Sequence, residues 1–302
     1  MMKTFVVKVL LFIAIIAFID VLWGKVMNTA LATTEKGDWG RRNYIINKTH
    51  EDILIFGSSR AIHHYDPQIF TDSLGMSCYN CAEDGSGILL HYPRLNALLQ
   101  RYTPKIIIYD IMPKYDFLEF GENSALGPLR PYLSIQPIRN YVKDVDKLDV
   151  LKSYISLYKY NSSFIEIIQQ RLSLSTSTVD EFTYSPLYGE INYLSDESCE
   201  LEGNGLDQIK FEYLVDLIRL CQSNGIKLFF TASPWYKMRR SDKYTPIYEL
   251  CRMKGVPFLN HNFDDDLNSR YVLFHDAAHL NKKGAETFSS IISHEIKLLE
   301  LE

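Results

Sequence analysis

Five short apolar runs separated by segments of helical spacing restrict this chain more than any other feature of its sequence. Ile53 to Gly57, Ser77 to Ala82, Lys105 to Ile111, Leu228 to Ala232 and Val256 to Leu259 read as strands. The third is strongly β-branched and closed by Pro113, and the fourth runs into Ser233-Pro234. His91 to Tyr102 reads as a helix stopping before Pro104. Leu206 to Asn224 carries Ile209, Tyr213, Leu217 and Leu220 at helical spacing and stops at Gly225. Tyr244 to Lys254 stops at Gly255, and Lys283 to Leu299 closes the chain. Strands alternating with helices of this length predict βαβ units, a parallel sheet and right-handed crossovers.

Two stretches break the rhythm. Residues 114–205 hold Pro128, Pro131, Pro137 and Pro186, many tyrosines and short amphipathic pieces such as Val150 to Tyr160. This stretch reads as an insertion on the sheet, not a separate domain, because it has no complete hydrophobic repeat of its own. It leaves the carboxyl end of the third strand, where open parallel sheets bind ligands, so a lid or an acceptor-binding surface is expected there. Residues 1–32 are of another kind. Lys3 and Lys8 precede an uninterrupted apolar run from Val9 to Ile19, followed by Asp20, Val21-Leu22-Trp23 and Lys25. Counted from Phe5 to Trp23, the run reaches the roughly 20 residues of a spanning helix, with Lys8 and Asp20 near its ends. The expectation is an uncleaved anchor at 1–32 and a catalytic domain at 33–302 outside the cytoplasm. Ala30-Leu31-Ala32 also resembles a small-x-small cleavage site, so secretion after signal removal is the alternative.

With 302 residues, 46% of them hydrophobic, the chain can bury a substantial core, which excludes disorder and disulfide-scaffold classes. A formal net charge of -5 leaves no electrostatic footprint for nucleic acid, and no such partner is expected. Five cysteines without regular spacing do not form a disulfide framework. Cys78 and Cys81 have redox-motif spacing but fall on a predicted strand, where no helix N-terminus lowers a thiol pKa; small buried hydrophobes are the better reading.

Two strings carry the chemistry. Ile55-Phe56-Gly57-Ser58-Ser59-Arg60 is a strand breaking at glycine into two serines; Phe274-His275-Asp276-Ala277-Ala278-His279-Leu280-Asn281 holds an aspartate and a histidine three residues apart before a helix. A serine on the turn after such a strand has its hydroxyl at the sheet edge beside backbone N–H groups that favour an oxyanion. It becomes a nucleophile when a base takes its proton, and the base works best when a carboxylate fixes its tautomer. Asp276 and His279 meet that need.

These blocks resemble the SGNH (GDSL-type) hydrolase superfamily, whose first block is Gly-Asp-Ser at the end of the first strand and whose last is Asp-x-x-His before the final helix. Here they read Gly57-Ser58-Ser59 and Asp276 to His279, the latter followed by Gly284 and Ala285. The resemblance covers residues about 50 to 112 and 226 to 295. It implies a flavodoxin-like three-layer α/β/α domain with a central parallel sheet, ester hydrolysis or acyl transfer with Ser59 as nucleophile, and neither metal nor cofactor. It also implies an oxyanion hole shared by Ser59 and a glycine of the second block. The corresponding stretch is Asn80-Cys81-Ala82-Glu83-Asp84-Gly85-Ser86-Gly87, where Gly85 or Ala82 can serve and Gly85 is preferred. The third block, usually Gly-x-Asn-Asp, is replaced by Tyr109-Asp110-Ile111-Met112, so its asparagine is missing. With the Gly-Ser-Ser block and the N-terminal anchor, these departures are similar to the extracytoplasmic branch that partners membrane-bound O-acyltransferases in modifying surface polysaccharides. The implied substrate is an acylated, chiefly acetylated, carbohydrate or another ester. The alternative is an inactive carbohydrate-binding or assembly subunit that keeps the fold.

The remaining polar residues have plainer readings beside their functional ones. Ser58 reads as a helix cap or structural hydroxyl. Arg60 pairs with Asp84 or Asp110 in the core or meets an anionic substrate; Asn80 and Arg130 are further candidate substrate contacts, Arg130 with surface solvation as its rival. His63 and His64 lack a third ligand at metal spacing, and Asp264-Asp265-Asp266 near His261 reads as a solvated charge run. A metal-dependent hydrolase using His275, His279 and Asp264 is a third, weaker reading.

Overall fold

The computed structural model describes residues 2–120, 126–172, 184–191, 203–238 and 241–301. In chain order these form α1 (Met2–Ala32), α2 (Gly37–Asn47), β1 (Ile53–Gly57), α3 (Ser59–His64), α4 (Pro67–Leu74), β2 (Cys78–Asn80), α5 (Ile88–Leu98), β3 (Ile106–Asp110), α6 (Pro113–Asp116) and β4 (Leu118–Glu119). There follow α7 (Leu126–Leu129), α8 (Gln136–Val145), α9 (Lys147–Lys152), α10 (Ser156–Lys159), α11 (Phe164–Arg171), β5 (Asn204–Leu206), α12 (Gln208–Ser223), β6 (Lys227–Ala232), α13 (Thr245–Lys254), β7 (Phe258–Asn260), α14 (Asp265–Asn268) and α15 (Lys282–Leu301).

The chain divides into two compact units, one of residues 1–48 and 124–179, the other of residues 49–123 and 180–302. The boundaries expected from sequence, an anchor at 1–32 and an insertion at 114–205, do not coincide with this division. The helices α7 to α11 cluster with α1 and α2: Trp23 of α1 meets Phe164 edge to face at 5.6 Å, and the ring N–H of Trp39 in α2 donates to Glu166.

The second unit is the predicted α/β domain. Five parallel strands run in the order β2-β1-β3-β6-β7, the flavodoxin-like order, and each of the five predicted strands appears within a residue or three of its expected limits. β1 and β3 are buried along their whole length, as strands covered on both faces must be. On one face Ile53, Ile55, Ile106 and Ile108 share a core with Tyr65, Phe70, Phe274, Phe288, Ile292 and Ile296, which brings α3, α4 and α15 together. On the other, Phe56 and Tyr109 pack their rings on His91 of α5. Burial of this many large side chains, at roughly 25 cal/mol per Å2 of apolar surface, is what holds the layers. β4 and β5 form a separate antiparallel pair. Cys78 and Cys81 are buried thiols outside any disulfide, and burial pushes the Cys78 thiol well above its ordinary value, in keeping with structural hydrophobes. Cys199 lies outside the described residues.

Candidate active site

β1 ends at Gly57, whose φ of 146° favours glycine; a Cβ there would stand 2.8 Å from the Cβ of Ala61 and 2.9 Å from the carbonyl oxygen of Asp110. The chain therefore turns sharply from β1 into α3, tight against the end of β3, and Ser59 becomes the first residue of α3 at the carboxyl edge of the sheet. Ser58 occupies the cap position and is buried, but its hydroxyl makes no capping bond.

The second string folds into a closed loop. Phe274 and Leu280 form an isolated antiparallel bridge, and the His275 N–H donates to the carbonyl of His279 at 2.8 Å. Asn281 caps α15 by accepting the Gly284 N–H, and its amide donates to the carbonyl of Val272. Gly284 is required by close approach: a Cβ there would lie 2.1 Å from the carbonyl oxygen of Leu273. The loop carries His279 to the nucleophile, with Ser59 Oγ 3.0 Å from His279 Nε2. Both carboxylate oxygens of Asp276 lie 3.0 Å from His279 Nδ1, and one accepts the N–H groups of Ala278 and His279 at 2.8 and 2.9 Å. Partial burial pushes the Asp276 carboxyl up, but the His279 hydrogen bond and charge, with the two backbone donors, outweigh it and hold the group below its ordinary range. An ionised Asp276 keeps the His279 proton on Nδ1 and leaves Nε2 able to accept from Ser59. Serine, histidine and aspartate, 220 and 3 residues apart in sequence, are thus joined in one hydrogen-bonded line, an arrangement able to act as nucleophile, base and orienting acid.

The candidate substrate contacts are placed elsewhere or already engaged. Arg60 is buried and donates to the carbonyls of Ser233 (3.0 Å) and Ile111 (2.9 Å), with Asp110 3.8 Å from its Nε; Asp84 is not its partner. Asn80 is buried, donates to the carbonyls of Ala61 and Tyr65, and accepts the Ala82 N–H. Both are braces of the turn, because a wholly buried polar group must spend its hydrogen bonds locally. The Ala82 N–H is thus taken by Asn80, while Gly85 lies in an exposed turn after β2. Arg130 belongs to the other unit, where it pairs with Asp149 at 2.8 Å. Among the described residues no three acidic, histidine or cysteine groups converge as a metal site. Asp264 pairs with His261, while His275 Nδ1 donates to the carbonyl of Tyr188.

The altered third block has a distinct role. Asp110 is fully buried and accepts from Tyr65 Oη (2.8 Å), the Ser233 N–H (2.8 Å) and the Ser233 hydroxyl (3.0 Å). Six residues later Asp116 accepts from Tyr109 Oη, the Met112 N–H and the Ile88 N–H, tying the exit of β3 to the start of α5; burial lifts its carboxyl to about 7 against those three bonds.

Two histidines not assigned a site role from sequence flank the base. His64 is buried, its Nε2 accepting the Leu280 N–H at 2.9 Å; burial, with the nearby His279, Arg60 and His63, pushes its imidazole well below the ordinary range, so it is neutral with the proton on Nδ1. His63 lies four residues after Ser59 on α3, hence on the same helix face, and its ring stands edge to face with His279 at 5.5 Å. Its Nδ1–H donates to the carbonyl of Ser185 at 2.6 Å. Ser185 belongs to a strap, residues 184–191, that bonds to Ile62 on one side and to Phe274, His275 and Lys282 on the other. Of the stretch expected to form a lid, this part lies at the site. The spacing of Ser59 and His63 was the available signal; the strap has none, since it is fixed by backbone groups.

No family model matches the chain, and no curated protein matches it. Among solved structures it is similar to a protein of Bacteroides fragilis NCTC 9343 provisionally named an acylhydrolase, with a TM-score of 0.40 and 9% identity over 84% of this chain and 89% of that one. A psychrotrophic esterase of a Pseudoalteromonas species gives a TM-score of 0.42 and 11% identity over 83% and 100%. A protein of Desulfitobacterium hafniense DCB-2, provisionally assigned to the lipolytic G-D-S-L family, gives 0.37 and 11% over 80% and 98%.

Proposed function

We propose that this protein is a serine esterase or O-acyltransferase of the SGNH type, anchored by α1 with its α/β unit outside the cytoplasm, acting on acetyl or other acyl esters of cell-surface carbohydrate. The observation that carries the chemistry is the connected line from Ser59 Oγ through the His279 ring to Asp276. The strand order and the position of Ser59 after Gly57 support the SGNH reading.

In the first half-reaction Ser59 Oγ attacks the acyl carbonyl carbon and its proton passes to His279 Nε2. Asp276 stabilises the resulting imidazolium through Nδ1–H. The negative charge on the carbonyl oxygen is met by the Ser59 N–H, in the first turn of α3, and by the Gly85 N–H. Collapse breaks the bond to the leaving alkoxide, which takes the proton from Nε2, and leaves the acyl group on Ser59. Water or a sugar hydroxyl then gives its proton to Nε2 and reverses the sequence.

The missing third-block asparagine removes one donor, a loss of about 3 to 4 kcal/mol of transition-state stabilisation where such donors have been deleted. Slow turnover of generic esters is the consequence, which favours a dedicated transferase working with a membrane-bound O-acyltransferase over a broad hydrolase. A fluorophosphonate probe tests the chemistry: it should label the intact protein on Ser59 and fail to label Ser59→Ala. An unlabelled wild-type protein that still binds carbohydrate would instead support the non-catalytic subunit. Protease added to intact cells should digest the α/β unit; protection inside the cytoplasm would sink the outward placement.

A further inference from the structure

Within the unit of residues 1–48 and 124–179, α1 changes character at Asp20. Residues 2–19 are apolar apart from Lys3, Thr4 and Lys8, and all are exposed. From Asp20 onward one side of the helix is built into the unit. The Asp20 carboxylate accepts the N–H groups of Ser156 and Leu157, both at 2.8 Å, and so caps α10. Gly24 lets Ser156 approach: a Cβ would stand 2.3 Å from the serine Oγ. Asn28 accepts from Tyr160 Oη, and Met27, Ala30 and Leu31 are buried. Cleavage after Ala32 would strip the unit of all these contacts, so α1 belongs to the folded protein.

The exposed part, at 1.5 Å per residue, is about 27 Å long against a hydrocarbon core of about 30 Å. Where it ends, at the level of the Asp20 cap, the polypeptide around α9 and α10 turns outward a run of large apolar side chains. Leu148, Leu151, Tyr154, Ile155 and Leu157 are 49–74% exposed within ten residues, with exposed Lys147 just before them and exposed Lys152 among them. A soluble surface does not spend so much apolar area in one place without a partner.

We infer that this collar is seated in the interfacial layer of the bilayer that α1 crosses, its leucines and isoleucine among the upper acyl carbons and its lysines at lipid phosphates. The inference rests on the anchored reading of α1 and adds a second membrane contact to it. Three features select lipid over a protein partner. The collar meets the apolar span where Asp20 accepts from Ser156 and Leu157, tyrosine is an interface-belt residue, and interspersed lysines are depleted from the centres of protein interfaces but favoured at headgroups. Asp20 marks the boundary because its charge is satisfied by two backbone donors there and would be costly deeper in the hydrocarbon.

The test places the photo-crosslinker p-benzoylphenylalanine, one position at a time, at Ile13, Leu151, Ile155 and Met253 of the full chain, reconstituted in phosphatidylcholine–phosphatidylglycerol vesicles. Met253 is 67% exposed in the other unit and serves as the control. Lipid adducts are expected at Ile13, Leu151 and Ile155, with yields at the collar positions several-fold above Met253. No adduct at Ile13 would overturn the anchored reading itself. Adducts at Ile13 with none at Leu151 and Ile155, collar yields no higher than Met253, or crosslinks there to a second copy or another protein would overturn the collar alone.

Discussion

Two aspartates close to the same turn are used in opposite ways. Asp110, at the end of β3, is wholly buried and accepts from a tyrosine hydroxyl, a serine hydroxyl and a backbone N–H, with the Arg60 guanidinium beside it. Asp276 sits on a loop with half its side chain exposed, and the only side chain bonded to it among the described residues is the titratable ring of His279. A carboxylate whose acceptors are filled by fixed donors in the interior holds structure together. One that is half-hydrated and aimed at an imidazole can answer a change of charge on that imidazole at little reorganisation cost. The nucleophile stands between them, its turn shaped by the first and its base oriented by the second.

Substitutions should separate the two roles. The largest effect is expected from Asp276→Asn, which disturbs the His279 tautomer while leaving the fold: esterase turnover should fall on the order of 10^4-fold with an unchanged thermal midpoint. Steady-state kinetics beside calorimetry would read both, and a large loss of stability would erase the distinction. Asp110→Ala should do the reverse. It removes the acceptor of two hydroxyls and an N–H and the carboxylate beside a buried guanidinium, costing about 3 to 5 kcal/mol in denaturant unfolding, with activity lost only in proportion to the unfolded fraction. A stable, inactive Asp110→Ala would move Asp110 into the reaction.

A smaller effect sharpens the comparison through pH. The buried His64 has a folded pKa below its ordinary value of 6.5, so the unfolded chain takes up a proton that the folded chain refuses. Its contribution is whole above about 6.5 and is lost as the pH falls below that, at up to about 1.4 kcal/mol per pH unit. His64→Gln keeps an acceptor for the Leu280 N–H and removes the titration. Unfolding followed across that range should show a shallower decline than in the unsubstituted protein, and an identical slope would assign the decline to other groups.

Much of this was readable in advance. The five strands and their parallel course follow from period and turn residues, local properties of the chain, while the choice of Ser59, Asp276 and His279 is what the resemblance of two short blocks to the SGNH superfamily implies. The roles of Arg60, Asn80 and Arg130 did not follow. An arginine next to Ser59 and an arginine in an insertion look alike as letters. One is consumed by carbonyls from two strand ends and the other by Asp149 in a different unit. The division of the chain was hidden for the same reason, since α7 to α11 complete a unit with α1 and α2 from a distant stretch of the chain.

What the amino-acid order determined by itself is the alternation of strands and helices, with a serine just after one strand and an aspartate and a histidine just before the last helix. Only the tertiary structure decided that Ser59 and His279, 220 residues apart, lie 3.0 Å from one another, and which charged groups are left facing substrate. Burial and hydrogen-bond satisfaction are properties of all the surroundings of an atom, and those surroundings are assembled from segments whose separation along the chain carries no record of their distance in space.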